Sequence, residues 1–307
     1  MSQTMLQLVQ QVTAELNLAI PTYVAGNPNQ DVQQVLALMN AQGYELLKET
    51  DWQGLQLEYR FYTDAVQFTG DTISDNSYNI IVNGNATALN GDYSITGTGI
   101  NQDTYVQSVT YDSGLNKSTI VMTQLASGTY IGVQFNFSQT KYNLPTDFET
   151  ITDNTHWDKT KRWQMLGPED AQQWQWLKSG YISTGPRIRW RILGQQFQIW
   201  PPYNTKEYLG FEYRSKGWAR SATGAVKNSF TADDDTTIYD DRVMVLGTKL
   251  KYFQIKSFDT TALQQDYMRI LNVAKANDKG SANLSFAPYP TKVLIGYANI
   301  PDTGYGT

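Results

Sequence analysis

The sequence predicts an α+β protein: a helical bundle scaffold with a small β-hairpin sheet, an inserted antiparallel β-rich domain and an extended C-terminal arm. Three features of the chain lead to that architecture. Residues 1–65 and 141–278 carry apolar residues at helical spacing. Residues 66–140 lose that period and become Asn, Gly, Thr, Ser and Val, in short runs bounded by turn dipeptides. From Lys279 to residue 307 there is no period of either kind.

The first helix rests on Met5, Leu8, Val9, Val12 and Leu16, which fall on one face opposite Gln and Thr. The stretch Ile20 to Gly26 ends it. A second helix is expected to open with Asn27 as its cap, Pro28 at its first position and Gln30 completing a capping box. Its stripe is Val32, Val35, Leu36, Met39, Leu46 and Leu47, and the two helices are expected to lie antiparallel. Gly43 sits on that stripe at a cost of about 1 kcal/mol relative to Ala, which close approach of another helix would offset. Gln56 to Phe61 then alternates as a strand does.

In the middle region, Tyr78–Val82, Tyr93–Thr96, Tyr105–Tyr111, Ser118–Thr123 and Tyr130–Phe137 read as strands of a small antiparallel sheet or barrel, with Gly97-Thr98-Gly99 as a tight bend. A short helix is expected from Gly167-Pro168-Glu169-Asp170, with Pro in its first turn, acids at its positive end, and Trp174 and Leu177 inward. Arg187–Leu193 and Gln196–Trp200 form a hairpin about Gly194-Gln195, to which Glu207–Arg214 is expected to add a third strand. Asp240 caps a helix bearing Val243, Leu246, Leu250 and Phe253. Asp259 caps the next, bearing Leu263, Tyr267, Ile270, Leu271 and Ala274. The final segment alternates Gly and Pro with Leu284, Phe286, Tyr289, Ile295, Tyr297 and Ile300. Disordered tails are poor in such residues, so it reads as an arm that lies on another surface.

Composition limits function. Only 17% of residues are charged and 40% are hydrophobic, with 20 Tyr and 8 Trp, so much of the surface is neutral, polar and aromatic, as at subunit contacts. The net charge of −5 argues against tight nucleic-acid binding. With no cysteine, disulfides and thiolate metal sites are excluded. The N-terminus mixes Gln and Glu into its apolar positions, so no signal peptide is expected. No apolar run reaches 18 residues, so no membrane partner is expected.

No catalytic constellation emerges. His156 is the only histidine and has no nucleophile motif near it. Asp233-Asp234-Asp235 and Asp240-Asp241 could hold a hard cation but lack the Gly and Glu of a calcium loop; a loop with a helix cap accounts for them. The 29 acids include no pair marked out for glycoside hydrolysis. Gly97-Thr98-Gly99 lacks what a phosphate loop needs. No cofactor is expected. Lys159-Lys161-Arg162-Trp163 could touch phosphate, and so could Arg187, Arg189 and Arg191, which share one face of a strand. An ion-paired or inter-subunit face is the plainer reading of both.

The scaffold segments resemble the head-to-tail adaptor (connector, tail accessory) proteins of short-tailed bacteriophages. The resemblance runs through Glu49 to Leu55, Leu144-Pro145-Thr146-Asp147-Phe148, Asn154-Thr155-His156-Trp157 and Gly167-Pro168 with Trp174 and Leu177. It continues through Phe197 to Pro202, Phe211-Glu212-Tyr213 with Ser215-Lys216 and Trp218, and Phe230-Thr231-Ala232-Asp233 with Asp235. It covers residues 1–65 and 141–278. It implies a structural, non-enzymatic virion protein, assembled in the host cytoplasm as a homo-oligomeric ring, usually a dodecamer. Such a ring joins the portal protein to the tail nozzle or tail tube and lets DNA pass without sequence-specific binding. It also implies that the C-terminal arm reaches the portal. The inserted domain lies outside the resemblance, and is expected on the outside of the ring. The alternative is a carbohydrate-binding or cell-wall-degrading tail component with the β-rich domain as its reader.

Overall fold

The structure, a computed structural model, describes residues 2–72, 76–179 and 188–279. Its helices begin where a side chain can satisfy the free N–H groups of a first turn. Thr4 Oγ1 accepts the Gln7 N–H while Gln7 Oε1 accepts the Thr4 N–H, a complete capping box ahead of α1 (Met5–Glu15). The expected cap of the second helix is displaced by two residues. Asn27 Oδ1 accepts the Asn29 N–H in a preceding turn, and Asn29 in turn accepts from Asp31 to cap α2 (Gln30–Glu49). Two Asx turns in succession compete for the helix start, and the second wins. Asp170 caps α3 (Ala171–Lys178), so Pro168 lies outside the helix and not in its first turn. Asp240 accepts from Arg242 and Val243 to start α4 (Asp241–Ile255). Asp259 accepts the Thr261 N–H and hydroxyl at the start of α5 (Thr261–Lys279).

Helix α4 packs against α1, α2 and α5, and Val243 to Thr248 is buried at every position. Side-chain links between α2 and α5 climb in step: Gln42 to Tyr267, Glu49 to Lys275, and the Gln53 N–H just past α2 to Asp278. These two helices therefore run parallel, bracketing α4. One core joins Met5, Leu8 and Val12 of α1, Val35, Met39 and Leu46 of α2, Val243 to Val245 of α4, and Leu271 of α5. Gly43 does face a close neighbour, but that neighbour is not a helix. A Cβ at Gly43 would lie 2.3 Å from the ring of Trp218, which enters from the loop after the sheet.

The strands are β1 (Gln56–Tyr62), β2 (Ala65–Thr72), β3 (Asn79–Asn83), β4 (Tyr93–Gly97), β5 (Val106–Asp112), β6 (Lys117–Met122) and β7 (Val133–Gln139). Then come β8 (Lys141–Asn143), β9 (Phe148–Ile151), β10 (Trp157–Asp158), β11 (Trp163–Gln164), β12 (Arg189–Leu193), β13 (Gln196–Trp200) and β14 (Tyr208–Ser215). The pairs Ala219–Arg220, Val226–Lys227 and Thr236–Thr237 are β15, β16 and β17. The chain is thus α+β, with sheet as well as helix in residues 141–278.

Strands β2 to β7 form an antiparallel sheet in the order β4-β7-β2-β3-β6-β5, around a core that includes Ile80, Val82, Ile95, Ile120, Phe135 and Phe137. Its outer strands meet at one end, where Ser94 bridges Tyr105 and the Ile95 N–H reaches Thr104 O at 2.8 Å, so the sheet curls toward closure. Strand β2 was not anticipated. Its inward positions are Val66, Phe68, Gly70 and Thr72, too few of them apolar to register as an alternating strand.

Two further sheets face one another. Strand β14 pairs with β1 along its length and also with β10 and β9. The hairpin β12–β13 turns through Gly194 and Gln195, with φ of 60° and 62°, as a two-residue primed turn requires. Its third strand is β8, not the expected Glu207–Arg214, because that segment belongs to the opposite sheet. Trp190, Phe197 and Ile199 from one sheet meet Leu209, Phe211 and Tyr213 from the other. No helix among the described residues is long and apolar enough to cross a membrane.

Candidate interaction surfaces

Residues that a catalytic reading would draw on are engaged in holding the fold together. His156 lies buried in the core between the two sheets, its ring stacked 3.9 Å from Trp190 and tilted against Phe211 at 5.8 Å. Burial lowers its pKa from 6.5 to about 4, so it is neutral at physiological pH. Asp233 Oδ1 accepts the N–H groups of Val24 and Ala25 at 3.0 and 2.8 Å, pinning the α1–α2 connection. Asp235 is fully buried; burial alone would raise its pKa, but the Lys227 ammonium at 2.6 Å and the Thr231 and Ala232 N–H groups hold it below its ordinary value. Asp240 is a cap, and Asp241 accepts from Ser2 and Gln3. Among the described residues no group of three or more His, Asp or Glu is placed to hold a metal ion.

The arginine strand is only partly free. Arg187 lies outside the described residues, as do Leu284, Phe286, Tyr289, Ile295, Tyr297 and Ile300 of the expected arm. Arg189 and Arg191 share a face of β12, opposite the buried Trp190. Arg189 is paired with the largely buried Glu169 at 2.6 Å. That pair, rather than the dipole of α3, accounts for Glu169. Arg191 stands across from Gln198 and has no carboxylate partner among the described residues.

A larger concentration of cations and rings lies on the outer face of the β1–β14 sheet. The inward residues of β1 and β14, Tyr59, Phe61, Leu209 and Phe211, belong to the core. The alternate residues point away from it, in the register Glu58↔Glu212, Arg60↔Gly210 and Tyr62↔Tyr208. The Tyr62 and Tyr208 rings lie 4.7 Å apart. Lys206 Nζ sits 5.0 Å from the Tyr62 ring, and Lys159 Nζ 5.9 Å from the Tyr208 ring. Lys159 reaches across β14 because Gly210 leaves room for it; a Cβ there would come within 2.9 Å of Lys159 Cε. It joins Arg60 on Glu58, and the two cations hold that carboxyl down to about 2, Arg60 contributing most. Lys161 pairs with the buried Glu207 at 3.2 Å. Arg162, at the tip of the β10–β11 turn, is exposed and has a φ of 60°. A cleft of about 510 Å³ opens here, its charged lining made of Glu58, Asp158 and Glu212 with Lys159 and Arg162.

Sequence reasoning found Lys159, Lys161, Arg162 and Trp163 but missed Arg60, Tyr62, Lys206 and Tyr208. The available signal was the alternation of β1, which puts Arg60 and Tyr62 opposite Tyr59 and Phe61. What could not be read was the strand that lies beside it.

Two other features connect parts or leave them open. The β-rich region is fastened to the rest by the Tyr105 ring, which lies under Lys141 at 4.4 Å and Lys178 at 5.0 Å, with Lys178 also paired to Asp103 at 2.8 Å. Ser138 to Asn204 and Gln196 to Asp92 add polar contacts across the same junction. At the α4–α5 turn Ile255 and Phe258 are each 56% exposed, and Phe258 packs edge-on against Phe253, making an apolar tip. No protein-family model matches the chain, and no curated protein matches it in sequence.

Proposed function

We propose that this chain is a structural, non-enzymatic protein of a short-tailed phage virion. In this reading it forms a ring, dodecameric in keeping with the resemblance, that joins the portal to the tail nozzle or tail tube and continues the DNA channel. The observation that carries the reading is the use to which the motif residues are put. Trp52 donates to Leu46 O at 2.7 Å and packs on Tyr239. Asp147 takes the Tyr213 hydroxyl at 3.0 Å and the Ser215 hydroxyl at 2.6 Å. Trp174 meets Leu177 and Trp200, and Trp218 fills the space over Gly43. Asp233 and Asp235 tie the loop before α4 to the α1–α2 connection and to Lys227. Trp52 with Tyr239, Asp147 with Tyr213, Trp218 with Gly43 and Asp233 with Val24 join segments far apart in sequence, while the Trp52–Leu46 and Asp235–Lys227 links are local. A subunit that is repeated around an axis and bears load needs rigid joints of this kind more than a reactive site.

The helical layer of α1, α2, α4 and α5 would be the bundle scaffold of this subunit. Its apolar tip at Ile255 and Phe258 and its neutral, aromatic-rich surface suit contact with neighbouring copies. Residues 279–307 would supply the arm that reaches the portal. The β-rich region, fastened at Tyr105, would project from the outside of the ring. Imaging of the purified chain after incubation with portal protein tests the reading. Closed rings seated on the portal are the expected result, and dispersed single subunits would overturn it.

A further inference from the structure

The β-rich region meets the rest of the chain along a cleft of about 320 Å³. One wall is the segment from β4 to Asp103, and the other is Trp200, the last residue of β13, with Pro201 and Pro202. The first wall is braced. Gly99 has a φ of 80°, a Cβ there would lie 2.5 Å from the Tyr130 ring, and its carbonyl accepts the Ser127 N–H at 2.9 Å. Asn101 Nδ2 donates to Leu125 O at 2.9 Å, and Gln124 Nε2 donates to Gln102 O and Asp103 O. Asp103, with a φ of 60°, is tied to Lys178 at 2.8 Å. The cleft therefore has a fixed shape, as small-molecule sites at domain junctions do. Within that frame several polar groups go unmet. Trp200 is only 2% exposed, yet its indole N–H has no acceptor among the described residues. Trp174, Trp190 and Trp218 are orphaned in the same way, but Trp200 stands in the wall of a cleft, where a ligand oxygen can reach it. The Thr96 hydroxyl and the Gln102 amide, in the opposite wall, also lack a hydrogen-bond partner among the described residues.

We infer that this cleft binds a neutral sugar residue. Hydroxyl groups both donate and accept, so one pyranose ring can accept from the Trp200 N–H and exchange hydrogen bonds with Thr96, Gln102 and the Asp103 carboxylate. Ile100, Pro201 and Pro202 supply apolar surface for the C–H face of such a ring. An anion is disfavoured, because the Lys178 ammonium is already matched by Asp103. A nucleobase is disfavoured as well. Trp200 packs against Trp174 and Leu177, with Lys178 over its ring at 5.7 Å, and offers no open face for stacking. The sugar is held and not cut. Hydrolysis of a glycosidic bond needs two carboxyl groups, and Asp103, tied to Lys178, is the one carboxylate among the described lining residues. The inference does not depend on the ring reading. In a ring the cleft would recur once per subunit, so that weak single contacts add up to firm attachment.

The test is saturation-transfer difference NMR of the full chain titrated in turn with glucose, galactose, mannose, N-acetylglucosamine and galacturonate, beside the double variant Thr96→Val/Gln102→Ala. Neither side chain makes a hydrogen bond among the described residues, so the two proteins should share one melting temperature. The expected result is transfer to at least one of the neutral sugars by the wild type. The variant should bind that sugar about tenfold more weakly, as loss of two hydrogen-bonding groups implies. Absence of transfer to every neutral sugar, or equal affinity in the variant, overturns the inference. Transfer to galacturonate alone would make this an anion site on Lys178 and overturns it too. The assembly mass of each sample separates the two proposals. A monomer that binds a neutral sugar through these residues sinks the ring and keeps the cleft. A ring that binds none of these sugars keeps the ring and sinks the cleft.

Discussion

Replacing Gly43 by Ala should destabilise the protein, although Ala is the better helix former by about 1 kcal/mol. The position is buried in the middle of α2, and the added methyl would stand 2.3 Å from Trp218 Cζ2, where van der Waals contact needs more than 3.4 Å. The indole cannot easily withdraw, being fully buried with Phe230 at 4.8 Å and Tyr239 at 6.1 Å. Overpacking of this kind costs roughly 1–3 kcal/mol, against a propensity gain of about 1 kcal/mol, giving a net loss of about 1 kcal/mol. A double-mutant cycle makes the reasoning specific. Trp218→Leu alone opens a cavity and should cost about 3 kcal/mol. In that background Gly43→Ala fills space and should stabilise by about 1 kcal/mol, reversing sign. Urea unfolding of the four proteins, with m-values compared, measures the coupling. The same cost for Gly43→Ala in both backgrounds would refute the contact.

Three further outcomes follow from the buried polar groups. Because the folded pKa of His156, about 4, lies below its ordinary 6.5, the unfolded chain binds its proton more readily. Stability is then complete above pH 6.5 and falls toward pH 4 by roughly 3 kcal/mol. Glu15 and Glu58, held down to about 2, add acid sensitivity only below their ordinary 4.5. His156→Phe should therefore flatten unfolding free energy between pH 6.5 and 4.5, and an unchanged slope would contradict the assignment. Asp147→Ala strands the buried hydroxyls of Tyr213 and Ser215 and should cost about 2 kcal/mol in urea unfolding; a loss under about 0.5 kcal/mol would deny its role as a joint. Lys178→Met removes the Asp103 pair and the contact with Tyr105, worth about 1–2 kcal/mol together. Amide exchange over residues 101–105 should rise roughly tenfold while β2 and β7 stay protected. Acceleration through those strands as well would mean that Lys178 supports the whole sheet.

Local features were the legible ones. Met5, Leu8, Val9 and Val12 at helical spacing, Asp240 before α4, and the Gly194-Gln195 turn are each decided by neighbours within a few residues. Where two local signals competed, as at Asn27 and Asn29, the sequence could not rank them. Contacts made at long range stayed hidden. Gly43 announced a close neighbour but not that it was Trp218. Strand β2 owes its place to β7 and β3 on either side, not to its own weak alternation. The charged outer face was half visible, since Lys159 to Trp163 are consecutive. Arg60, Tyr62, Lys206 and Tyr208 join them only through the register of β1 with β14.

The central claim is that the chain is a repeating part of a closed ring, and native mass measurement of the purified protein, alone and with portal protein, addresses it most directly. A single species at a fixed multiple of 34.7 kDa, with a subunit number compatible with the portal's symmetry, is the result expected. A protein that stays at 34.7 kDa at every concentration and leaves the portal's mass unchanged would contradict it.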